Sequence, residues 1–280
     1  MNVPLKQTSS IVKRILMCRP THFQLAYSIN PWMDMRRGVN RARAMEQWEK
    51  LRHTLVDCGA KVDVMEADGA ASLPDMVFAA NAAVIRGSTA YLANFAHPER
   101  KGERYFFEQW FTANGYECVG DKDIPFEGAG DALWGGTKYS TLFTGIGPRT
   151  DVRALRDLTE KLNDGTSWKA LGCRLIDPRF YHIDTAFCPL NEEVAIFYPY
   201  AFDHITQHNM RNETSLIPVS EKEARNFACN SVVIGQHVVM NKGNDEIALK
   251  LEKLGFSVRF VDMSEFIKSG GSAKCCTLAI

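Results

Sequence analysis

The sequence has no excess of charge of either sign. Its 33 Lys and Arg residues are balanced by 33 Asp and Glu residues, so the chain lacks the positive field that attracts nucleic acid or an anionic membrane surface. A long apolar run is missing as well. Met1 to Pro20 contains only the short apolar stretch Ile15 to Cys18, and we expect neither a signal peptide nor a membrane-spanning helix. These absences argue against a dedicated nucleic-acid binder and a membrane protein.

Cysteine occurs eight times but never in the spacing C-x-x-C, which excludes a zinc ribbon and a thioredoxin-type motif. Closely spaced ligand pairs such as H-E-x-x-H are also missing, so we expect no metal and no other cofactor. Most of the cysteines lie in apolar runs, where a free thiol behaves as a small hydrophobic side chain. We therefore expect a reducing compartment, the cytoplasm.

No low-complexity segment and no linker rich in Pro, Gly or Ser interrupts the chain, and we treat residues 1–280 as a single domain. The recurring pattern is a helix that ends at a glycine and leads into a short strand. Helical spacing of apolar residues predicts this pattern at 41–58 with Gly59, at 106–114 with Gly115 and at 246–254 with Gly255. A weaker copy runs from Asp151 towards Gly172.

The glycines at 59, 115 and 172 are 56 and 57 residues apart, and a unit of that length fits five times into the chain. Paired strands are predicted between the helices at 75–86 with 89–95 and at 231–234 with 237–241. A repeated strand–strand–helix–strand unit indicates a pseudo-symmetric α/β domain and not a Rossmann sheet. Chance helix–glycine–strand joints in any α/β protein explain the spacing equally well.

The segment from Ser269 to Thr277 contains two glycines followed by Lys274, Cys275 and Cys276. Glycine lets the backbone approach a ligand closely, and a neighbouring lysine favours the nucleophilic thiolate. Cys275 is therefore the candidate nucleophile. In a terminal strand, alternation would turn Cys276 to the opposite face. The alternative is a buried strand with two structural cysteines.

A second segment, Phe180 to Thr185, contains His182 and Asp184. In a strand both side chains would project to the same side, which pairs a general acid/base with a carboxylate. A core histidine bonded to the backbone is the alternative interpretation.

A third segment, Pro125 to Ala132, places Glu127 and Asp131 in a glycine-rich turn. Buried carboxylates without partners are costly, so the pair indicates a nearby cation. A planar guanidinium matches carboxylates with its forked N–H donors. A solvated turn is the alternative.

The order of these segments, Glu/Asp, then His-x-Asp, then a C-terminal Gly-Gly and Cys, resembles that of the guanidino-group modifying (pentein) superfamily. This superfamily includes arginine deiminases, dimethylarginine dimethylaminohydrolases, agmatine deiminases and amidinotransferases. The resemblance implies a five-bladed α/β propeller of ββαβ repeats, which would explain the suspected periodicity.

The chain resembles most the arginine dihydrolase domain of bifunctional arginine dihydrolase/ornithine cyclodeaminase proteins, and we expect it to lack the cyclodeaminase domain. The resemblance covers nearly the whole chain. Its matching segments are 27–33, 73–82, 97–100, 125–132, 180–187, 226–230 and 270–278.

The resemblance implies that Cys275 is the nucleophile and His182 the general acid/base, and that Glu127 holds the guanidinium and orients His182. It further implies substrate contacts from Asn30, Asp75, Asn81, Arg100, Asp131, Arg149, Asp184 and Ser269. Among these, Arg100 and Arg149 match positions that grip the α-carboxylate, and Asn81 matches the position associated with a dihydrolase outcome. Ala79 departs from the pattern, since relatives usually carry Thr there.

The implied activity is hydrolysis of arginine through a covalent Cys275 thiouronium, giving ornithine, carbon dioxide and two ammonia molecules. The alternatives are a dimethylargininase or arginine deiminase that gives citrulline, an amidinotransferase, and a non-catalytic propeller. The vicinal pair Cys275-Cys276 also resembles that of eukaryotic-type dimethylargininases. The expected partner is a small-molecule substrate, and a homo-oligomer remains open.

Overall fold

The computed structural model describes residues 12–280, so the leader prediction for Met1 to Pro20 lies largely outside the described residues. The helices are α1 Arg41–Asp57, α2 Glu103–Ala113, α3 Ala154–Lys161, α4 His204–Glu213, α5 Glu221–Arg225, α6 Asp245–Lys253 and α7 Ser264–Ile267. Within the described residues, no helix has the length and apolar character needed to cross a bilayer.

The strands are β1 Arg14–Cys18, β2 Lys61–Met65, β3 Ala83–Arg86, β4 Thr89–Leu92, β5 Glu117–Val119, β6 Ala132–Gly135, β7 Thr141–Ile146, β8 Lys169–Arg174, β9 Phe187–Pro189, β10 Val194–Phe197, β11 Ser215–Pro218, β12 Val232–Ile234, β13 His237–Asn241, β14 Ser257–Val261 and β15 Leu278–Ala279.

These strands form five three-stranded sheets, β15-β1-β2, β3-β4-β5, β6-β7-β8, β9-β10-β11 and β12-β13-β14. In each sheet the middle strand is antiparallel to one neighbour and parallel to the other, which follows a helix. The strand β15 pairs with β1, so the first sheet unites the two ends of the described chain. The predicted five-bladed propeller of ββαβ repeats is confirmed.

Three of the predicted helix–glycine–strand joints are present. Gly59, Gly115 and Gly255 follow α1, α2 and α6 with φ values of 94°, 83° and 90°, a left-handed conformation that glycine adopts without steric cost. The glycine pattern is thus a true mark of three of the five units.

The predicted helix end at Gly172 is wrong. Gly172 lies inside β8 and does not end a helix. A Cβ atom there would come within 3.1 Å of Leu155 Cδ1, so the missing side chain allows α3 to pack on the sheet. The glycine pattern does not reveal the unit that contains α4, because α4 is followed by Thr214 in an extended conformation and not by a glycine.

The helices pack on the sheets through apolar residues at helical spacing. In α1 these are Trp48, Leu51 and Leu55, all fully buried, and truncating a side chain as large as Trp48 costs about 3–5 kcal/mol in such a core. Asn40 caps the N-terminus of α1. Its side-chain oxygen accepts the backbone N–H of Arg43 at 3.0 Å, a capping bond of about 1 kcal/mol.

The strand predictions fail in three segments that precede the first strand of a unit. Two short 3-10 turns, Pro74–Val77 and Ala79–Ala82, precede β3, a third such turn at Ile183–Thr185 precedes β9, and 273–276 is a turn before β15. The alternation arguments for His182 with Asp184 and for Cys275 with Cys276 are therefore wrong. A 3-10 turn satisfies its own backbone groups locally, so it suits a short buried segment that has no neighbouring strand.

Candidate active site

A nearly closed cavity lies where the turns before β3 and β15 meet the segment 29–33 and several side chains from other units. Its walls are Ile29, Asn30, Met33, Asp75, Phe78, Asn81, Arg100, Arg149, Tyr181, Ser269, Gly271 and Cys275. Of the eleven residues predicted for the site, Asn30, Asp75, Asn81, Arg100, Arg149, Ser269 and Cys275 line this cavity, while Glu127, Asp131, His182 and Asp184 do not.

The free space in the cavity is about 10 Å³, which is room for one water molecule. The segment 29–33 is tied down by Trp32, whose indole N–H donates to the carbonyl of Arg179 at 2.7 Å and whose ring packs against Phe227. A ligand the size of an amino acid therefore enters only when surrounding groups such as this segment move.

Glu127, His182 and Arg149 form a buried network behind the cavity. One carboxylate oxygen of Glu127 lies 2.7 Å from His182 Nε2 and 2.8 Å from an Arg149 nitrogen, and the other accepts the backbone N–H of Ala96 at 3.2 Å. Burial acts to raise the pKa of Glu127, but the charge of Arg149 and the bond from His182 hold it well below its ordinary value. Glu127 therefore stays ionised.

Burial lowers the pKa of His182 to about 4, although the bond to Glu127 acts in the opposite direction. His182 is consequently neutral near pH 7. Since Glu127 is ionised and can only accept, Nε2 of His182 carries the ring proton and Nδ1 is the free base. Nδ1 has no hydrogen-bond partner in the described part of the protein, so it can accept a proton from a bound molecule.

Gly130 leaves the space that this arrangement needs. A Cβ atom on Gly130 would lie 2.1 Å from Asn81 Nδ2 and 3.3 Å from His182 Nδ1. We expect Gly130→Ala to reduce turnover at least tenfold, because Asn81 and His182 must both shift and small displacements of reacting groups are costly. Steady-state kinetics checks this, with Gly147→Ala as control, where the new methyl meets Leu175 at an ordinary 3.4 Å. Equal activity of the two variants would contradict the crowding argument.

Cys275 lies in the turn before β15 and is 2% exposed. Its Sγ is 3.4 Å from Asp184 Oδ2, and Asn230 Nδ2 donates to it at 3.0 Å. Burial, followed by the charge of Asp184, raises the pKa of the thiol well above its ordinary value. The free site thus holds a thiol, with the carboxylate of Asp184 as its hydrogen-bond acceptor.

Burial also raises the pKa of Asp184 to about 6, against the opposing charge of Lys274. The second carboxylate oxygen of Asp184 has no partner in the described protein, and neither has Oδ1 of Asp75. Tyr27 donates to the other oxygen of Asp75 at 2.9 Å. Each carboxylate therefore keeps one oxygen for a ligand.

Glu127 and Asp131, the carboxylates predicted to face a substrate cation, are already bonded within the protein. Asp131 accepts the Thr150 hydroxyl at 2.7 Å and the backbone N–H of Ile183 at 3.0 Å. The second bond fixes the turn that carries His182. The cation beside Glu127 is the protein's own Arg149. The carboxylates with unused oxygens are instead Asp75 and Asp184.

Two buried arginines supply the positive charge of the cavity. Arg100 donates two parallel bonds to Glu103 at 2.8 Å and further bonds to Asn81 and to the carbonyl of Asp75, so that one of its five N–H groups has no partner among residues 12–280. Arg149 donates to Glu127 and to the carbonyl of Ile29, and three of its N–H groups have no partner in the same part of the chain. Arg149 is thus the better placed to bind a carboxylate with two bonds.

The remaining predicted residues shape the wall. Asn30 donates to the carbonyl of Ser269 at 3.1 Å, and the Ser269 hydroxyl is buried without a partner in the described protein. Gly270, which follows Ser269, has φ 84°, and a Cβ there would lie 2.8 Å from Asn30 Oδ1 and from the Tyr181 hydroxyl. The positive φ and the lack of space both require glycine at this position.

Three residues outside the predicted set have direct roles in this geometry, namely Asn230, Tyr181 and Glu103. Asn230 is the one that could have been found, since it lies two residues before β12, as Asn81 lies two residues before β3. Among residues 12–280, no group of three or more His, Cys, Asp or Glu side chains is placed to hold a metal ion.

Comparison with known proteins identifies the family. The model of eukaryotic N,N-dimethylarginine dimethylhydrolase matches residues 20–280. A bifunctional arginine dihydrolase/ornithine cyclodeaminase, ArgZ of Synechocystis, is 40% identical over 95% of this chain, and the chain spans 37% of that relative's length. An N(G),N(G)-dimethylarginine dimethylaminohydrolase of Mycobacterium tuberculosis is 37% identical over 96% of this chain and 86% of its own length.

Among solved structures, the product-bound N-terminal domain of the cyanobacterial arginine dihydrolase ArgZ superposes with a TM-score of 0.90 at 40% identity, covering 96% of this chain and 97% of that domain. A dimethylargininase from Pseudomonas aeruginosa, 21% identical with a TM-score of 0.81, covers 96% and 99% and shares the fold. The matched family model and these relatives show that the chain belongs to the dimethylarginine dimethylaminohydrolase family of five-bladed α/β propellers.

Proposed function

We propose that the chain hydrolyses free arginine to ornithine, carbon dioxide and two ammonia molecules, with Cys275 as the nucleophile. The observation that carries the proposal is the charge layout of the cavity and of the Asp184 carboxylate behind its Cys275 wall. In the described protein, Asp75 and Asp184 each keep a carboxylate oxygen without a partner, and Asp184 accepts the hydrogen bond of the thiol. Arg149 and Arg100 keep free N–H groups. This layout complements a molecule with a guanidinium at one end and a carboxylate at the other.

A guanidinium bound at Asp75 and Asp184 would also activate the nucleophile. Burial and the Asp184 charge keep Cys275 protonated in the free site, whereas a substrate cation beside Sγ favours the thiolate. The nucleophile is thereby generated when its target is bound. The thiol proton moves to Nδ1 of His182, the nitrogen that Glu127 leaves unprotonated.

The first half-reaction forms the S–C bond and breaks one C–N bond. The thiolate adds to the guanidinium carbon, and His182 returns the proton to the departing nitrogen, which leaves as ammonia. A positively charged thiouronium remains on Cys275. Neutral His182 then takes a proton from water, whose oxygen adds to the same carbon.

The second half decides the product. Cleavage of the S–C bond at this stage gives citrulline. If a second ammonia leaves first, a thiocarbamate remains on Cys275. A second water then adds to its carbon, the S–C bond breaks to return the thiolate, and the carbamic acid formed decomposes to ornithine and carbon dioxide. We favour the second route because the cyanobacterial relative named as an arginine dihydrolase is 40% identical across almost the whole chain.

Incubation of purified protein with arginine, with ornithine and citrulline resolved by chromatography and ammonia counted, tests the proposal. We expect ornithine as the product, with two ammonia molecules released for each arginine consumed. Citrulline with one ammonia would instead favour arginine deiminase, and turnover of dimethylarginine would favour dimethylargininase, the activity named for the Mycobacterium tuberculosis relative. An amine that yields a new guanidine would indicate an amidinotransferase, and no turnover a non-catalytic propeller.

Asn81 is the residue we propose to control the product. Its side-chain oxygen accepts from Arg100 at 2.8 Å, and its amide points towards the carbonyl of Glu127 at 3.4 Å, beside the space at Gly130. We expect Asn81→Ser to shift the product from ornithine to citrulline, because the shorter side chain no longer reaches both groups. The ornithine-to-citrulline ratio measures this, and an unchanged ratio would refute the role.

All eight cysteines are free thiols, as a reducing compartment would keep them. The proposal accordingly places the reaction in the cytoplasm and treats residues 1–280 as one catalytic domain acting on a small molecule.

A further inference from the structure

Asn230 joins the nucleophile to the rest of the site through four hydrogen bonds of its side chain. It is fully buried in the turn before β12. Its Oδ1 accepts the backbone N–H groups of Ser272 and Cys275, each at 3.1 Å. Its Nδ2 donates to Cys275 Sγ at 3.0 Å and to the carbonyl of Asp184 at 3.1 Å.

The partners fix which end of the amide is which. Two backbone N–H groups can only donate, so the atom facing them is the oxygen. The carbonyl of Asp184 can only accept, so the atom facing it is the nitrogen. The second proton of that nitrogen is therefore directed at the sulfur of Cys275.

The oxygen end of Asn230 holds the nucleophile's turn in place. Together with the bond from the Lys274 N–H to the Asn230 carbonyl at 3.2 Å, three backbone N–H groups of residues 272–275 end on this single residue. The described protein gives the Cys275 turn few other anchors, chiefly its own Cys276 and Thr277 bonds and the Ala80 N–H on the Cys275 carbonyl.

The nitrogen end acts on the sulfur itself. An N–H that donates to sulfur stabilises the thiolate more than the thiol, because charge-assisted hydrogen bonds are about twice as strong as neutral ones. Asp184 on the other side of Sγ has the opposite effect, since its charge opposes ionisation. Outside its own turn, the sulfur thus contacts two opposing groups. The Asn230 N–H favours the thiolate, and the Asp184 carboxylate favours the thiol.

We infer that Asn230 is a catalytic residue that both positions Cys275 and stabilises its thiolate by direct N–H donation to Sγ. The inference rests on the proposed function only in taking Cys275 as the nucleophile. It adds a thiolate-stabilising group to the reaction and shows that this group comes from a different unit of the propeller than the cysteine.

The test compares Asn230→Asp, Asn230→Ser and a control, Asn241→Asp. Asn230→Asp keeps the size and the accepting oxygen but replaces the donor to sulfur. Asn241 is likewise buried and bonded through both ends, to Asn226 and to the Met263 N–H, but it has no bond to Cys275. The pH dependence of Cys275 alkylation by iodoacetamide is followed by peptide mass spectrometry, alongside arginine kinetics and thermal unfolding.

We expect the alkylation midpoint of Cys275 to rise by at least one pH unit in both Asn230 variants. We also expect kcat to fall by about 100-fold, with KM changed less than threefold. Asn241→Asp should lower stability without moving the midpoint. If Asn230→Asp does not fold, Asn230→Ser carries the comparison.

A folded Asn230 variant with an unchanged midpoint, or the same shift in Asn241→Asp, would overturn the inference and leave Asn230 a structural residue. The alkylation measurement needs no substrate. A shifted alkylation midpoint in a protein that does not turn over arginine would therefore contradict arginine as the substrate and still support the role of Asn230.

Discussion

Replacement of Cys275 by serine is expected to abolish arginine turnover, with a loss of roughly 10⁴-fold or more. A serine hydroxyl ionises far less readily than a thiol, and the neutral His182 is the free base available to activate it. The paired variant Cys276→Ser should retain most of the activity. Cys276 is fully buried in an apolar cluster of the core and does not line the cavity. The measurement is ammonia release from arginine.

A measurement of arginine binding distinguishes a variant that has lost the chemical step from one that has lost its fold. Cys275→Ser should still bind arginine, as shown by calorimetry or by a thermal shift, because the carboxylates and arginines of the cavity are unchanged. Mass spectrometry of quenched wild-type enzyme should locate the covalent intermediate on Cys275. Equal activity losses in the two variants would remove the basis for choosing Cys275 over its neighbour.

The sequence predicts the repeating architecture because three units end a helix with a left-handed glycine, at 59, 115 and 255. It misses the unit that contains α4, where the chain passes from helix to strand through Thr214 without such a residue. Periodicity is visible only where the local chemistry repeats. The sheets repeat because of pairing between strands, which no single segment encodes.

The site shows the same division. Short motifs name the candidate side chains, and the glycine-rich turn of Glu127 and Asp131 is predicted correctly, but the segments of Asp75, His182 and Cys275 are turns where the sequence predicts strand. Whether a carboxylate faces a ligand depends on what else bonds it. Asp131 is satisfied by Thr150 and Ile183, whereas Asp75 keeps a free oxygen. These partners lie 19 to 52 residues away along the chain, so no motif records them.

One regularity explains why these residues meet. Glu127, His182, Asn230 and Cys275 each lie in the turn that precedes the first strand of a unit, before β6, β9, β12 and β15. Asn81 holds the same place before β3. The repeat therefore builds the site from five equivalent turns, each with different chemistry, which is why its members are spread across the whole chain.

The equivalent turn before β9 carries Asp184, and Asp184→Asn is expected to make the protein more stable and much less active. Burial raises the pKa of this carboxyl from 3.8 to about 6. The folded state therefore binds a proton more tightly than the unfolded chain does. The stability that Asp184 contributes is complete below pH 4 and is lost as the pH rises through 6. At pH 8 the ionised carboxylate thus costs about 3 kcal/mol.

Asparagine is neutral at every pH, and its side-chain oxygen can still accept the hydrogen bond that the Cys275 thiol donates. Asp184→Asn should therefore unfold about 6 °C above the wild type at pH 8, and this gain should vanish near pH 4. Turnover should fall by about 100-fold, because the cation site loses a charge. Thermal unfolding across pH 4–8 provides the test.

Asp262 is the control for the direction of the stability change at pH 8. Although partial burial acts the other way, hydrogen bonds from Lys242 and Ser264 hold the pKa of Asp262 below its ordinary value. Asp262→Asn should accordingly destabilise the protein at pH 8 and leave turnover unchanged. A loss of stability in both variants at pH 8 would show that Asp184 is stabilised by its surroundings as an anion. The ionised Asp184 would then stabilise the fold. We argue the opposite, that the ionised carboxylate destabilises the fold and is needed to bind the substrate cation.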